Sequence, residues 1–251
     1  MDYSLFSYHR DRIHIFLLVY VDDIIITGNH SATVNWLIGT LKLEFAMKDL
    51  GALSYFLGIQ AVRNSYGLHL RQSKYVADLL NRVQMAESKA YRAPCVAGTK
   101  MSKFDGEVLP DPTNFRHIVG ALQYVTLTRP DIAYSVNQLC QHMHHPTSAH
   151  MTAANRVLRY LKGTMDCGLL YCKSSITINA FCDSDWDGNP DDRRSTTGYG
   201  IFLGSNLISW SAKKQHVVSR SSTEAEYRSM CLTTAEMYWL NSGETTLVPL
   251  P

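Results

Sequence analysis

The stretch that decides the fold is residues 13–27, which reads IHIFLLVYVDDIIIT. Ile13–Val21 is rich in β-branched and aromatic residues, and Ile24–Thr27 resumes the same composition. Such residues favour strands, and the interruption by Asp22 and Asp23 places a turn between them. The stretch therefore predicts a β-hairpin with two acids at its junction.

The two adjacent carboxylates admit two interpretations. A bare Asp-Asp pair is usually an ordinary acidic turn at the protein surface. Burying two carboxylates among bulky apolar residues is costly unless something neutralises them. At a tight turn, at least one carboxylate projects beyond the sheet edge, where its oxygens suit a divalent cation. The residues alone leave Asp22 and Asp23 open between a surface turn and a metal site.

The rest of the sequence alternates between helical and extended patterns. Apolar residues at helical spacing predict helices, and apolar runs bounded by turn residues predict strands. Helices are predicted over 31–43, 74–83, 114–127, 131–143, 148–162 and 222–240, and strands over 53–62, 68–72, 169–172, 176–182, 198–203 and 207–211. The stretch 93–112, rich in Pro and Gly, is the best linker candidate. A helix-rich middle between two sheet-bearing ends indicates two domains with a helical connection.

Composition excludes several classes of protein. The 251 residues, 45% of them hydrophobic, suffice for a core and exclude a disordered chain. Lys plus Arg is 24 and Asp plus Glu is 22, so a net charge of +2 excludes nucleic-acid binding by bulk charge alone. Six cysteines without a C-x-x-C pair indicate a reducing compartment, and the sequence predicts neither a signal peptide nor a membrane span. We therefore expect a soluble intracellular protein with no membrane partner.

The hairpin and a series of later motifs together resemble one protein family. The sequence Y-V-D-D inside an apolar hairpin resembles the catalytic hairpin of reverse transcriptases. The later motifs are MKDLG at 47–51, YFLGI at 55–59, RHIVGALQY at 116–124, TRPDI at 128–132, LRYLKGT at 158–164 and the whole of 183–227. On these motifs the chain is similar to copia-type retrotransposon Pol polyproteins over residues 13–240. It also resembles the short free-standing plant reading frames, including mitochondrial ones, that derive from them.

The resemblance implies a fold and a division of the chain. Residues 1–92 correspond to the C-terminal part of a reverse transcriptase palm, 93–166 to a linker with a helical thumb or connection, and 167–251 to a truncated ribonuclease H-like domain. The implied class is mixed α/β, ending in a truncated sheet with one long helix. The resemblance implies that Asp22 and Asp23 hold two Mg²⁺ ions for nucleotidyl transfer.

A second acidic site is predicted near Asp183. Residues 176–183 alternate between apolar and polar positions as a half-buried strand does, so Asp183 and Asp185 share one face at its end. The spacing D-x-D-x-D-G from Asp183 also matches the first half of an EF-hand loop. Because Arg194 stands where that loop needs a bidentate Glu, calcium binding is discarded.

The resemblance implies that Asp183 is the first carboxylate of a ribonuclease H site and Glu224 the second. On residue type alone, Ser221 followed three residues later by Glu224 is a capping box at the start of the last helix. Family order favours Glu224 as a metal ligand, with Glu226 as the alternative. At both sites two Mg²⁺ ions would clamp the attacking and leaving oxygens of a displacement at phosphorus. The implied partners are an RNA template, a DNA primer and an RNA–DNA hybrid.

Two clusters of basic residues could bind the phosphates of a nucleic acid, and an ordinary solvated surface is the alternative for each. The first cluster, on the predicted helix 148–162, has a basic residue at every third position: Arg156, Arg159 and Lys162. The second cluster precedes Glu224 and consists of Lys213, Lys214 and Arg220. Four histidines, at 142, 144, 145 and 150, fit neither helical nor zinc spacing well and are not interpreted as metal ligands.

Each implied site keeps only part of its carboxylate set in this sequence. A palm needs a further Asp upstream of the hairpin, and neither Asp2 nor Asp11 matches that family motif. The family's nuclease continues to a third and a fourth Asp, whereas this sequence departs from the family pattern after Leu240. We therefore expect a fragment descended from an RNA-directed DNA polymerase and ribonuclease H that is inactive alone. An upstream polyprotein segment is the partner that would complete its palm.

Two other interpretations stay open at this point. One is a non-catalytic nucleic-acid-binding or interaction remnant, whose salt-dependent binding would survive Asp183→Asn and weaken when Arg156, Arg159 and Lys162 are neutralised. The other is a genomic relic with no function. The family implies a cytoplasmic particle or the nucleus, and an organelle-encoded remnant implies the mitochondrion.

Overall fold

The structure is a computed structural model that describes residues 3–242 and 248–249. Its strands are β1 (Tyr3–Arg10), β2 (Ile13–Tyr20), β3 (Asp23–Gly28), β4 (Tyr55–Phe56), β5 (Ile59–Arg63), β6 (Leu68–Arg71), β7 (Gly168–Tyr171), β8 (Ile178–Asp185), β9 (Thr196–Leu203), β10 (Asn206–Lys214) and β11 (Val248–Pro249). Its helices are α1 (Ser31–Glu44), α2 (Ser73–Arg82), α3 (Thr113–Val125), α4 (Ala133–Cys140), α5 (Ser148–Gly163) and α6 (Ser222–Ser242), with a short 3₁₀ helix at Pro130–Ile132. The mixed α/β class is confirmed.

The chain divides into two compact units, residues 1–53 with 239–251, and residues 54–238. These two units are defined by contacts within the fold, which do not test descent. The division into reverse transcriptase palm (1–92), linker with thumb (93–166) and ribonuclease H-like domain (167–251) therefore stays a prediction. In the part of the chain that the structure describes, no helix is both long and apolar enough to cross a membrane.

The first unit is built on the apolar hairpin. β2 pairs antiparallel with β1 and β3, and β11 lies parallel to β1, which gives the order β11-β1-β2-β3. Ile15 and Leu17 of β2 are buried. Gly28 ends β3 where a Cβ would lie 2.7 Å from the carbonyl oxygen of His14, so glycine permits the close approach of the two strands. The predicted hairpin is confirmed.

The largest core lies among α2, α3, α4 and α5 in the second unit. Phe115 and Leu122 of α3 and Leu158 and Leu161 of α5 are fully buried, as their helical spacing predicts. The helix predicted over 131–143 instead divides into the 3₁₀ helix and α4. Pro130 occupies the first turn of this segment, where its fixed φ and missing N–H are tolerated.

Two further sheets complete the second unit. β4, β5, β6 and β7 form one antiparallel sheet, in which β7 pairs with β6 across a long sequence separation. β8, β9 and β10 form a separate antiparallel sheet in the order β10-β9-β8. Tyr134 of α4 and Ser229 of α6 both contact β8 of this second sheet, and the predicted acid Asp183 lies on that edge strand.

Candidate active sites

The Asp22–Asp23 pair lies at the tight turn between β2 and β3. Tyr20 and Asp23 are the last paired residues of the hairpin, so the turn itself consists of Val21 and Asp22. Both aspartates are exposed. Val21 has a φ of 50°, in the left-handed region that a β-branched residue rarely adopts. The hairpin thus presents two carboxylates to solvent from a strained turn.

Replacing Val21 by Asn is expected to stabilise the first unit by about 1 kcal/mol, because Asn tolerates a positive φ at lower cost. Urea unfolding that resolves this unit would measure the gain. Ile24 is a control in the same unit, since it is 36% exposed on β3 and its φ is not positive. Ile24→Asn should give no gain. An equal response at the two positions would contradict strain at Val21.

The exposed turn does not by itself form a complete magnesium site. Mg²⁺ takes oxygen ligands in near-ideal octahedral geometry, and a two-ion site needs several carboxylates that converge. Across residues 3–242 and 248–249, no three His, Cys, Asp or Glu side chains are grouped so that they could hold a metal ion. Asp22 and Asp23 could therefore supply some of the ligands of a magnesium site, but the described residues do not form a complete site.

Asp183 lies on β8, as predicted, with its carboxylate in solvent. It is paired with Gly198 of β9 in an unbroken register that runs to Asp185 and Thr196. Successive residues of a strand point to opposite faces, so Asp183 and Asp185 share one face and Ser184 occupies the other. Ser184 is buried, whereas Asp183 is exposed. The alternation read from the sequence is confirmed.

Asp185 is the partly buried acid of this face. Its carboxylate accepts hydrogen bonds from the backbone N–H of Thr196 and, at 3.2 Å, from the hydroxyl of Tyr134 on α4. Burial raises the pKa of Asp185, although these hydrogen bonds oppose the rise. Burial and the charge of Asp185 together raise the pKa of Tyr134 to about 12. Asp185 is therefore tied to α4, which the sequence did not indicate.

Glu224 lies in the first turn of α6 and takes part in capping. Its backbone N–H donates to Ser221 Oγ at 3.1 Å. Its carboxylate accepts from the backbone N–H of Arg220 at 2.8 Å and from the guanidinium of Arg228 at 2.8 Å. The hydrogen bond from the Arg228 guanidinium is the largest of the interactions that lower the pKa of Glu224. The cap contact is present, and metal binding by Glu224, or by Glu226 as the alternative, stays a prediction.

Gln215 connects the two regions that carry the predicted nuclease acids. This side chain is buried, and its Nε2 donates to Ser184 Oγ at 3.2 Å and to the carbonyl of Ala225 at 3.0 Å. Its neighbours in sequence give no periodic signal, so sequence reasoning missed it. This contact brings Ser184, which follows Asp183, close to Ala225, which follows Glu224. The Asp183 carboxylate, however, leaves β8 on the face opposite Ser184.

The first basic cluster is largely engaged within the protein. Arg156 and Arg159 lie over the ring of Tyr91, with guanidinium carbons 4.7 Å and 3.6 Å from its centroid. Arg159 Nε also donates to the carbonyl of Lys89 at 2.6 Å. Lys162, the third member, is half-buried. These contacts favour a packing role for the two arginines.

The second basic cluster is divided between bound and exposed side chains. Lys214 forms an ion pair with Asp192 at 2.8 Å. Lys213 and Arg220 are exposed beside β10 and the start of α6. The role of this cluster in nucleic-acid binding stays a prediction.

Comparisons with known proteins define the class. A family model for reverse transcriptase (RNA-dependent DNA polymerase) matches residues 2–97, which include the Asp22–Asp23 hairpin. An uncharacterized mitochondrial protein of Arabidopsis thaliana is 51% identical over 231 residues, 92% of this chain and 96% of that protein. A putative transposon Ty5-1 protein of Saccharomyces cerevisiae is 32% identical, with 70% of its length covered. No solved structure matches the chain significantly.

The particular group follows from the longer relatives. Retrovirus-related Pol polyproteins from the Arabidopsis thaliana transposons RE2 and RE1 are each 48% identical over 247 residues, which are 98% of this chain. The chain therefore belongs to the reverse transcriptase family of copia-type retrotransposon Pol polyproteins, as its motifs predict. It spans 17% of the length of those two polyproteins.

Proposed function

We propose that this chain is a part of an RNA-directed DNA polymerase that supplies the Asp22–Asp23 hairpin, and that it does not copy RNA on its own. The observation that carries the proposal is the exposed carboxylate pair at the strained turn, inside the segment that matches reverse transcriptases. Two carboxylates are fewer than a two-ion site requires. An upstream polyprotein segment is proposed as the partner that supplies the rest, with an RNA template and a DNA primer as substrates.

A chimera tests this proposal directly. The chain replaces the corresponding segment of the transposon RE2 Pol polyprotein, to which it is 48% identical, and primer extension on an RNA template is measured with Mg²⁺. We expect extension by the chimera, loss of extension in its Asp23→Asn variant, and none by the isolated chain. Extension by the isolated chain would contradict inactivity alone. Extension by the Asp23→Asn chimera would contradict a catalytic role for the hairpin.

For the second acidic region we propose descent from a ribonuclease H without nuclease activity in the isolated chain. Two observations support this proposal: the Glu224 carboxylate is hydrogen-bonded by the Arg228 guanidinium and the Arg220 backbone N–H, and Asp183 leaves β8 on the face opposite Ser184. We expect no Mg²⁺-dependent degradation of an RNA–DNA hybrid by the purified chain. Degradation that disappears in Asp183→Asn would contradict this expectation, and degradation that survives would indicate a contaminating nuclease.

The cellular compartment belongs to the same proposal. A polymerase of this group would act in a cytoplasmic particle or in the nucleus. One relative carries a mitochondrial name, so the mitochondrion is the alternative. Fractionation of cells that express the tagged chain would distinguish these compartments.

A further inference from the structure

Two histidines face each other across the β1–β2 hairpin. His9 and His14 are direct partners in the antiparallel register. Their Nδ1 atoms lie 2.6 Å apart, and the ring centroids are 4.9 Å apart with a 58° tilt. Both side chains are exposed. Two imidazole nitrogens therefore converge at one solvent-accessible point.

The hairpin holds this pair in place through its backbone. The N–H of His14 donates to Asn29 Oδ1 at 2.8 Å, and the carbonyl of His14 accepts from the N–H of Asn29 at 3.1 Å. Because this N–H bonds Asn29, His9 and His14 form a non-hydrogen-bonded pair, the type whose side chains stand closest together. Phe16, whose ring centroid lies 5.5 Å from that of His9 in an edge-on arrangement, packs beside the His9 ring.

We propose that His9 and His14 form a two-point clamp for a divalent transition-metal ion such as Ni²⁺, Cu²⁺ or Zn²⁺, with water as the remaining ligands. Imidazole nitrogens bind zinc at about 2.0–2.1 Å, so two that share one ion stand about 3 Å apart. The observed separation of 2.6 Å therefore needs only a small opening of the pair. Imidazole suits these metals, whereas Mg²⁺ prefers oxygen ligands.

The clamp is separate from the carboxylate turn and independent of the proposed polymerase role. His14 and Asp22 are eight residues apart along an extended hairpin strand, or about 26 Å. The two ends of the hairpin therefore present different donor chemistries, nitrogen at one and oxygen at the other. A metal bound at the nitrogen end links β1 to β2 and stabilises the folded hairpin by mass action.

Calorimetric titration of the untagged full chain with Ni²⁺ tests the proposal. Two histidines that chelate one ion bind it with an affinity about 100-fold higher than a single histidine does. His9→Gln and His14→Gln should therefore each lower the affinity for Ni²⁺ by about 100-fold. The double variant His144→Gln/His145→Gln removes two other adjacent exposed histidines and should leave this binding unchanged. A tenfold excess of Mg²⁺ should not compete. Unchanged affinity in His9→Gln and His14→Gln, or competition by Mg²⁺, would overturn the proposal.

A measurement on the unmodified chain covers the case in which a variant fails to fold. Substoichiometric paramagnetic Ni²⁺ should broaden the NMR signals of His9 and His14 before those of any other histidine. Uniform broadening of the exposed histidines, or broadening that begins elsewhere, would contradict the clamp.

Discussion

Replacing Asp131 by Ala is expected to destabilise the second unit by about 3 kcal/mol. Asp131 accepts two hydrogen bonds from the Arg129 guanidinium, at 2.9 Å and 2.6 Å, and one from the hydroxyl of Tyr160 at 2.7 Å. The Arg129 side chain is only 3% exposed, so the substitution leaves a buried charge without its counterion. Asp131 itself is 38% exposed, which lets water replace part of the interaction and places the effect at the low end of the usual range.

The measurement is the free energy of unfolding from urea denaturation, with Asp166→Ala as the control. Asp166 pairs with Arg71 at 2.9 Å in the same unit, but its side chain is 86% exposed, so its loss should cost less than about 1 kcal/mol. A double variant, Arg129→Met with Asp131→Ala, should recover much of the loss because it also removes the uncompensated charge. Equal effects of Asp131→Ala and Asp166→Ala would contradict a buried pair.

Patterns that extend over short ranges predicted much of the fold. The hairpin of β2 and β3 follows from a long apolar run that is broken by two acids, and the half-buried strand β8 follows from its alternation. β1 was missed because Ser4 and Ser7 interrupt its apolar residues. Its turn is also atypical, since Arg12 adopts a φ of 65° at the position where a two-residue hairpin loop usually has Gly.

Contacts between distant residues could not be predicted in the same way. Arg156 and Arg159 form a basic stripe in sequence, but the ring that they cover belongs to Tyr91, more than 60 positions earlier. Gln215 is likewise an unremarkable polar residue until the fold buries it between Ser184 and Ala225. Sequence indicates which side chains can carry charge or donate hydrogen bonds, whereas tertiary packing decides which of them stay available to a ligand.

Acid should destabilise the second unit as the pH falls from 6.5 toward 4. His142 and His150 are buried with their rings stacked, the centroids 3.9 Å apart. Burial, with a smaller contribution from His150, lowers the pKa of His142 to about 4, and burial also lowers the pKa of His150. Asp105, Asp191 and Lys214 are the other charged groups that influence His142, and they do not reverse this direction.

The direction of the pH effect follows from proton binding. In the unfolded chain each histidine titrates near 6.5, so below that pH the unfolded state binds more protons than the folded state. The stabilisation is therefore complete above pH 6.5 and is lost as pH falls toward 4, by about 3 kcal/mol for His142 alone.

His142→Phe keeps a ring against His150 but carries no proton, so the slope of unfolding free energy against pH between 6.5 and 4.5 should fall by about 1.4 kcal/mol per pH unit. His144 is exposed two residues further on, and His144→Gln should leave the slope unchanged. Urea unfolding at a series of pH values measures both slopes. An unchanged slope in His142→Phe would contradict a lowered pKa of the buried His142.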